Sequence, residues 1–400
     1  MSNETLFGPV QGWSLEPVSG WLLGEARRLT DAVELIDALM ARLDAAGGSI
    51  DRLRLTCTTL HPQLIAWGVA WDHGGGARMW NGQHGVELGD AYIGSPIQYV
   101  RERNLTYRTR LDGPVLEGEH STLDDLRAAG MTEYVALPLL FGTGAVNVVT
   151  LATIARPGFS DADIARFEAL VNLLAPLVEI IAERRTTLGL LNTFVGPRIS
   201  KRILDGQVRR GDGDQINAAF WYSDLRGFTG LSERLPTAEL LHLLNDYFEY
   251  CAAAAAARGG EILQFIGDAI LIVFEIDEPG MQAAVCESAL DAAIDAFDSL
   301  AVVNHRRRHS KQPVIEFGLG LHLGVVTHAN VGSPGRLAFN VVGPAVNTTA
   351  RIQSLTKQTG VPLLLSSDFA ALVKRPFRHV GKFELRGVAE SEDLYTPADR

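Results

Sequence analysis

The sequence predicts an α+β protein of two globular domains joined by a helix, and three observations carry that expectation. The chain has 400 residues, of which 46% are hydrophobic, enough for two separate cores. In its first half a helical pattern precedes strand-like runs, a Gly-broken hairpin and a long apolar-periodic helix. In its second half two apolar strands each carry one aspartate, and helical segments separate the strands.

The first half reads in order as a helix over about residues 20–46, strand-like runs at 53–60 and 64–71, and a short helix near 96–103. Residues 134–155 reach the length of a membrane span, but Pro138, Gly142, Thr143, Gly144 and Asn147 interrupt them. The β-branched runs on either side of that break predict two buried strands joined by a turn. Ser160, placed as an N-cap, opens a helix to about Arg185, which the pattern continues through Leu188–Asn192 into residues 197–204. The turn residues that follow, Asp205-Gly206 and Gly211-Asp212-Gly213-Asp214, set the second domain to begin near residue 215. The divisions are thus 1–19, 20–185, 186–214 and 215–400.

A formal charge of -11 excludes a broad nucleic-acid surface. The basic run Arg306-Arg307-Arg308 is read as a solvated helix end. Cys57, Cys251 and Cys286 lie too far apart in sequence for a CxxC clip and suggest no disulfide framework. The start Met1-Ser2-Asn3-Glu4 lacks the pattern of a secretory signal, so the expected location is cytoplasmic, with no membrane span.

The chemistry sits in three blocks. Residues 216–229 form an apolar strand ending in Asp224 and the turn Leu225-Arg226-Gly227-Phe228-Thr229. Residues 261–274 contain Gln264 and then Gly267-Asp268 between apolar runs. Two such carboxylates suit a hard cation such as Mg²⁺, although a single strand-end aspartate is more often a turn former. The third block runs from Phe317-Gly318-Leu319-Gly320-Leu321-His322-Leu323-Gly324 through Asn330, Gly332 and Ser333 to residues 339–351, with Asn340, Asn347 and Arg351. Gly318-Leu319-Gly320 is no dinucleotide fingerprint, since it lacks the strand before and the helix after. His322 is read as a core residue, and the Ala-rich residues 252–257 as the continuation of a packed helix from Ala238.

In this order and spacing the three blocks resemble class III adenylate and guanylate cyclases over roughly residues 192–395, including a linking element at 194–211. The resemblance implies a ferredoxin-like α+β catalytic domain. It implies two Mg²⁺ (or Mn²⁺) held by Asp224, Asp268 and the Leu225 backbone, and a turn from Leu225 through Arg226, Gly227 and Phe228 to Thr229 wrapping the triphosphate. Asn347 would orient the ribose and Arg351 would stabilise the α-phosphate under attack. Arg386 stands where the family usually has a lysine on the terminal phosphates. The implied reaction is attack of the ribose 3′-hydroxyl on the α-phosphorus with loss of pyrophosphate. The implied assembly is a homodimer with composite sites.

Base choice departs from the family pattern. Gln264 and Asn340 replace the usual Lys/Asp or Glu/Cys pair, and an amide can face either purine. ATP is expected as substrate, with GTP as a side activity. Pro344, where Asp or Asn is common, is expected to have a local backbone effect only. The first half resembles a GAF sensor domain over residues 20–185, with a PAS-like domain as the alternative, and would receive a small-molecule or redox signal. His61 and Cys57 hint at a haem or redox role, though each is more often a turn or buried residue. Rival readings of the second half are a catalytically dead nucleotide-binding module and a diguanylate cyclase. The latter's Gly-Gly-Asp/Glu-Glu-Phe turn is replaced here by Phe265-Ile266-Gly267-Asp268-Ala269.

Overall fold

The computed structural model describes residues 12–115, 118–385 and 391–398. It divides into two compact units, Met1–Thr193 and Phe194–Arg400.

In the N-terminal unit the helix expected over 20–46 is two helices, α1 (Glu16–Leu23) and α2 (Ala32–Ala45). Gly24 ends the first. Asp31 starts the second, its carboxylate accepting the backbone N–H groups of Val33 and Glu34 at 2.8 and 3.0 Å. Then come β1 (Arg52–Thr58), β2 (Leu64–Asp72), β3 (Gly76–Gln83), α3 (Pro96–Arg103), β4 (Tyr107–Arg110), α4 (Ser121–Ala128), β5 (Glu133–Leu140), β6 (Val146–Thr153) and α5 (Asp161–Val195). The six strands form an antiparallel sheet in the order β3-β2-β1-β6-β5-β4.

The two-residue period of a strand sorts its side chains between two cores. Val135, Leu137 and Leu139 meet α1, α2 and α5. Tyr134 and Ala136 meet α3 and α4. Ser160 and Asp163 form a reciprocal cap at the start of α5: the Asp163 N–H donates to the Ser160 hydroxyl at 3.1 Å, and the Ser160 N–H to the Asp163 carboxylate at 2.8 Å. The expected continuous helix into residue 204 is broken at Gly196, whose φ of 86° lies in the left-handed region.

The C-terminal unit contains α6 (Pro197–Leu204), β7 (Gly213–Leu225), α7 (Phe228–Arg234), α8 (Thr237–Ala256), β8 (Glu261–Ile266), β9 (Ala269–Glu275), α9 (Gln282–His309), β10 (Phe317–Ser333), β11 (Arg336–Val342), α10 (Pro344–Thr359), β12 (Leu363–Ser366), α11 (Ser367–Leu372), β13 (Phe377–Phe383) and β14 (Glu392–Pro397). The sheet order is β13-β14-β12-β10-β7-β9-β8, with β11 paired to β10. Within it, β7-α8-β8-β9-α9-β10 is the β-α-β-β-α-β unit of a ferredoxin-like core. Trp221, Ile270, Ile272, Leu319 and Leu321 pack against α8 and α9 on one face. Ala254 and Ala255 of the Ala-rich stretch lie in that same core.

The basic run at the end of α9 is not wholly solvated. Arg306 and Arg308 are exposed, but Arg307 is 8% exposed. Its guanidinium donates to the Asp246 carboxylate at 2.6 Å and to the Pro313 carbonyl at 2.7 Å, tying α9 to α8 and to the loop before β10. No described helix is long and apolar enough to cross a membrane.

Candidate active site

The site grows from the end of β7. Trp221, Ser223 and Leu225 turn toward α8 and α9, so Tyr222 and Asp224 turn to the other face. Ser223 anchors the strand end from behind: its hydroxyl oxygen accepts the Trp221 indole N–H at 2.8 Å and the Tyr247 hydroxyl at 2.7 Å.

Opposite Asp224 stand Gly318 on β10 and Ala269 on β9. Ile266 pairs with Ala269, so Gly267-Asp268 is a two-residue hairpin turn, and Gly267 takes the positive φ, 64°, that its first position needs. That turn sets Asp268 next to Asp224.

The electrostatics are those of a site short of positive charge. Burial first, and then the facing Asp268 carboxylate, push the Asp224 carboxyl up to about 7. Oδ1 of Asp224 is buried and has no hydrogen-bond partner among the described residues. The same two carboxylates, after burial, raise the Tyr222 hydroxyl. Ionised carboxylates only accept, so an orphaned oxygen beside a second acid fits a divalent cation with oxygen ligands. No group of three or more His, Cys, Asp or Glu side chains placed to hold a metal ion occurs among the described residues.

The turn after Asp224 is held to its neighbours. The Arg226 N–H donates to the Glu316 carbonyl at 2.7 Å, and its guanidinium to the Thr356 carbonyl of α10 at 3.2 Å. Gly227, at φ 71°, leads into α7. Phe228 packs on the core, and Thr229 is exposed.

Asn347 and Arg351 ride on α10, with Pro344 in its first turn. Ala345, Thr348, Thr349, Ile352, Gln353 and Thr356 form its buried face. At 100° per residue Asn347 and Arg351 fall on the opposite side, where Asn347 is exposed and Arg351 half-buried. The glycines of β10 explain how the helix sits so close. A Cβ on Gly320 would lie 2.7 Å from the Gln353 backbone nitrogen and 2.8 Å from the Thr349 carbonyl oxygen, and one on Gly324 would lie 2.5 Å from the Ala345 Cβ. His322, between them, is half-buried, with Nδ1 2.9 Å from the Ser366 hydroxyl and a pKa lowered by burial.

The structure thus brings Asp224, Asp268 and the 225–229 turn together. It does not join Gln264 and Asn340 within one chain: Gln264 is exposed on β8, Asn340 is exposed on β11, and β9, β7 and β10 lie between. The Asn340 side-chain oxygen accepts the Val341 N–H at 2.8 Å. Arg386 lies outside the described residues. Sequence reasoning missed Tyr222, Ser223 and Tyr247. The period of two along β7 pointed to the first, and nothing local signalled the other two.

The C-terminal unit has the mixed α+β fold of a cyclase-like catalytic domain. Residues 213–396 match the family model described as the Adenylate and Guanylate cyclase catalytic domain. An adenylate cyclase of Anabaena cylindrica is 35% identical over 151 residues, which are 37% of this chain and 29% of that protein. Adenylate cyclase 1 of Rhizobium meliloti is 28% identical over 176 residues, 44% of this chain and 26% of that one. The chain therefore spans less than a third of the length of these two relatives. Among solved structures, the adenylyl cyclase CyaB from P. aeruginosa is 25% identical, with a TM-score of 0.43 over 47% of this chain and 96% of that one.

Proposed function

We propose that the protein is an adenylate cyclase, converting ATP into 3′,5′-cyclic AMP and pyrophosphate, and that its N-terminal unit regulates it. The observation that carries this reading is the orphaned, buried Asp224 oxygen facing Asp268 inside the region that matches the cyclase family. Asp224, Asp268 and the Leu225 carbonyl would hold two Mg²⁺ or Mn²⁺, which when bound neutralise the triphosphate and favour ionisation of the ribose 3′-hydroxyl.

In the reaction the 3′-hydroxyl gives up its proton to water, an O3′–Pα bond forms, the bond from Pα to the β-phosphate oxygen breaks, and pyrophosphate takes the electron pair. The protein's part is positioning and charge. The turn from Leu225 to Thr229 approaches the triphosphate, with Gly227 allowing close backbone contact. Asn347 orients the ribose, and Arg351 stabilises negative charge growing on the α-phosphate. Arg386 is assigned to the terminal phosphates, where a planar fork replaces an ammonium. Asn347 and Arg351 point away from the strand that bears the acids of their own chain, which supports a homodimer whose sites take acids from one protomer and Asn and Arg from the other.

ATP is favoured over GTP because both curated relatives named above are adenylate cyclases and because Gln264 and Asn340 supply neither the Glu nor the Cys of guanine readers. Amides leave discrimination weak, within about a hundredfold. Purified protein incubated with ATP or GTP and Mg²⁺ or Mn²⁺ tests this by product and by kcat/KM. Cyclic AMP as the faster product is expected. A clear GTP preference overturns the choice of base, and no cyclic product overturns the reading.

For the N-terminal unit we favour a GAF-like sensor, with a PAS-like one as the alternative, on the strength of its antiparallel sheet covered by helices on both faces. A redox signal at Cys57 is disfavoured: the side chain is fully buried and burial pushes its thiol up to about 12. Deleting residues 1–185 and measuring the cyclase rate shows whether this unit restrains or supports turnover.

A further inference from the structure

On the sheet face that α5 covers, Trp67, Cys57 and Asn147 form one cross-strand row. Cys57 pairs with Trp67 in the β1–β2 ladder. Thr56 stands opposite Val148, so Asn147 flanks Cys57 on its other side. Neighbouring strands lie about 4.8 Å apart, which makes the row a compact floor across β2, β1 and β6. All three side chains are essentially sealed from solvent, at 1% exposure or less.

Two hydrogen-bond donors in this row, the Trp67 indole N–H and the Asn147 amide nitrogen, have no acceptor among the described residues. The Asn147 amide is fixed in orientation, because its oxygen accepts the Thr58 backbone N–H at 2.9 Å and faces the Thr58 hydroxyl at 3.2 Å. From α5, Arg185 covers the floor, its guanidinium carbon 4.7 Å from the Trp67 ring centroid. Its Nε–H is also buried and unpartnered.

A buried donor without an acceptor is destabilising, and here three belong to one cluster. Every unsatisfied atom in the group is a donor and none is an acceptor. Water would satisfy some of these N–H groups, but Arg185 is half-buried and a carboxylate would add a charge match that water lacks. An acceptor-only ligand with a single negative charge meets both needs, because a planar carboxylate matches the guanidinium edge. We propose that the N-terminal unit binds a small carboxylate beside the Arg185–Trp67 stack, against the Trp67–Cys57–Asn147 row. The ligand would tie α5 to β1, β2 and β6. This site stands apart from the cyclase reading, and its test reads binding rather than turnover.

The test uses the full-length protein in sodium acetate, sodium phosphate or sodium chloride at equal ionic strength, with thermal unfolding as readout. Acetate should raise Tm saturably, and chloride and phosphate should not. Trp67→Phe keeps an aromatic ring, though a smaller one, and removes the N–H, and Arg185→Gln removes the charge. Each should weaken acetate binding about tenfold or more. Protection of Arg185 from phenylglyoxal by acetate, mapped by mass spectrometry on the unaltered protein, decides the matter even if a variant misfolds. Equal Tm responses to all three salts with Arg185 unprotected would overturn the site and leave the donors to water. Saturation by phosphate in place of acetate would overturn the carboxylate assignment.

Discussion

Asp268, at the tip of the β8–β9 turn, faces Asp224 at the end of β7, and one Asp224 oxygen is left buried without a partner. Neither acid has a cationic side chain to offset it in the described hydrogen bonds or ion pairs. A fold that presses two carboxylates together gains from whatever neutralises them, either a proton or a divalent cation. Stability and cation binding at this site are therefore linked to pH.

The sign of that linkage follows from the raised carboxyl of Asp224, about 7 in the fold against 3.8 as the ordinary value. The folded state holds the proton more tightly, so its stabilising contribution is full below the unfolded value and is lost as pH rises through about 7. In chelator, Tm of the wild-type protein should fall between pH 4 and 7 relative to Asp224→Asn, which cannot titrate there. Adding Mn²⁺ should restore Tm, and more strongly above pH 7, where no proton competes. Parallel pH profiles of the two proteins would contradict the raised carboxyl.

Gly320 sets the seat of α10. A methyl there meets the Gln353 nitrogen and the Thr349 carbonyl oxygen, backbone atoms that cannot rotate away. Gly320→Ala should cost about 1–3 kcal/mol and lower activity, because Asn347 and Arg351 move with the helix. Gly335→Ala, where a Cβ meets nothing within 4 Å, is the control and should be near neutral. Urea unfolding with a cyclase assay compares them, and equal stability of the two variants would show that α10 has room to shift.

Much of this was legible from residue order alone. Asp224 and Asp268 were readable because each sits among apolar strand residues beside a glycine turn, and strand pairing then makes them meet. The breaks at Gly24 and Gly196 were not, because apolar periodicity continues across them and a single glycine is tolerated inside many helices. The burial of Arg307 was hidden because its partners, Asp246 and the Pro313 carbonyl, belong to other segments. The same holds for the donors at Trp67, Asn147 and Arg185, which become a group only when three strands and α5 come together. Local pattern fixes which way a side chain points along its own element. It cannot say what another element brings to meet it.

Arg307 offers a stability test of that lesson. Truncating it leaves the Pro313 carbonyl and the Asp246 carboxylate without their guanidinium, so Arg307→Ala should cost about 1–3 kcal/mol. Arg306→Ala and Arg308→Ala, on exposed neighbours, should stay within about 0.5 kcal/mol. Denaturant midpoints of the three variants check this, and three equal midpoints would mean that the Arg307 contacts add nothing.

The outward position of Asn347 and Arg351 leads to the sharpest test of assembly. If each site joins acids from one protomer to Asn and Arg from its partner, Asp224→Ala and Arg351→Ala homodimers each spoil both of their sites, and each should lose at least about a hundredfold in rate. A mixed dimer keeps one intact site, because the Asp224→Ala chain still supplies Arg351 and the Arg351→Ala chain still supplies Asp224. Random exchange makes half of the dimers mixed, with one site of two working, so equal amounts should recover about a quarter of wild-type activity. Differently tagged chains purified through both tags isolate the mixed dimer and should show about half. A silent mixed dimer would mean that each chain must supply acids, Asn and Arg to the same site, and α10 would then have to turn its outward face toward its own β7.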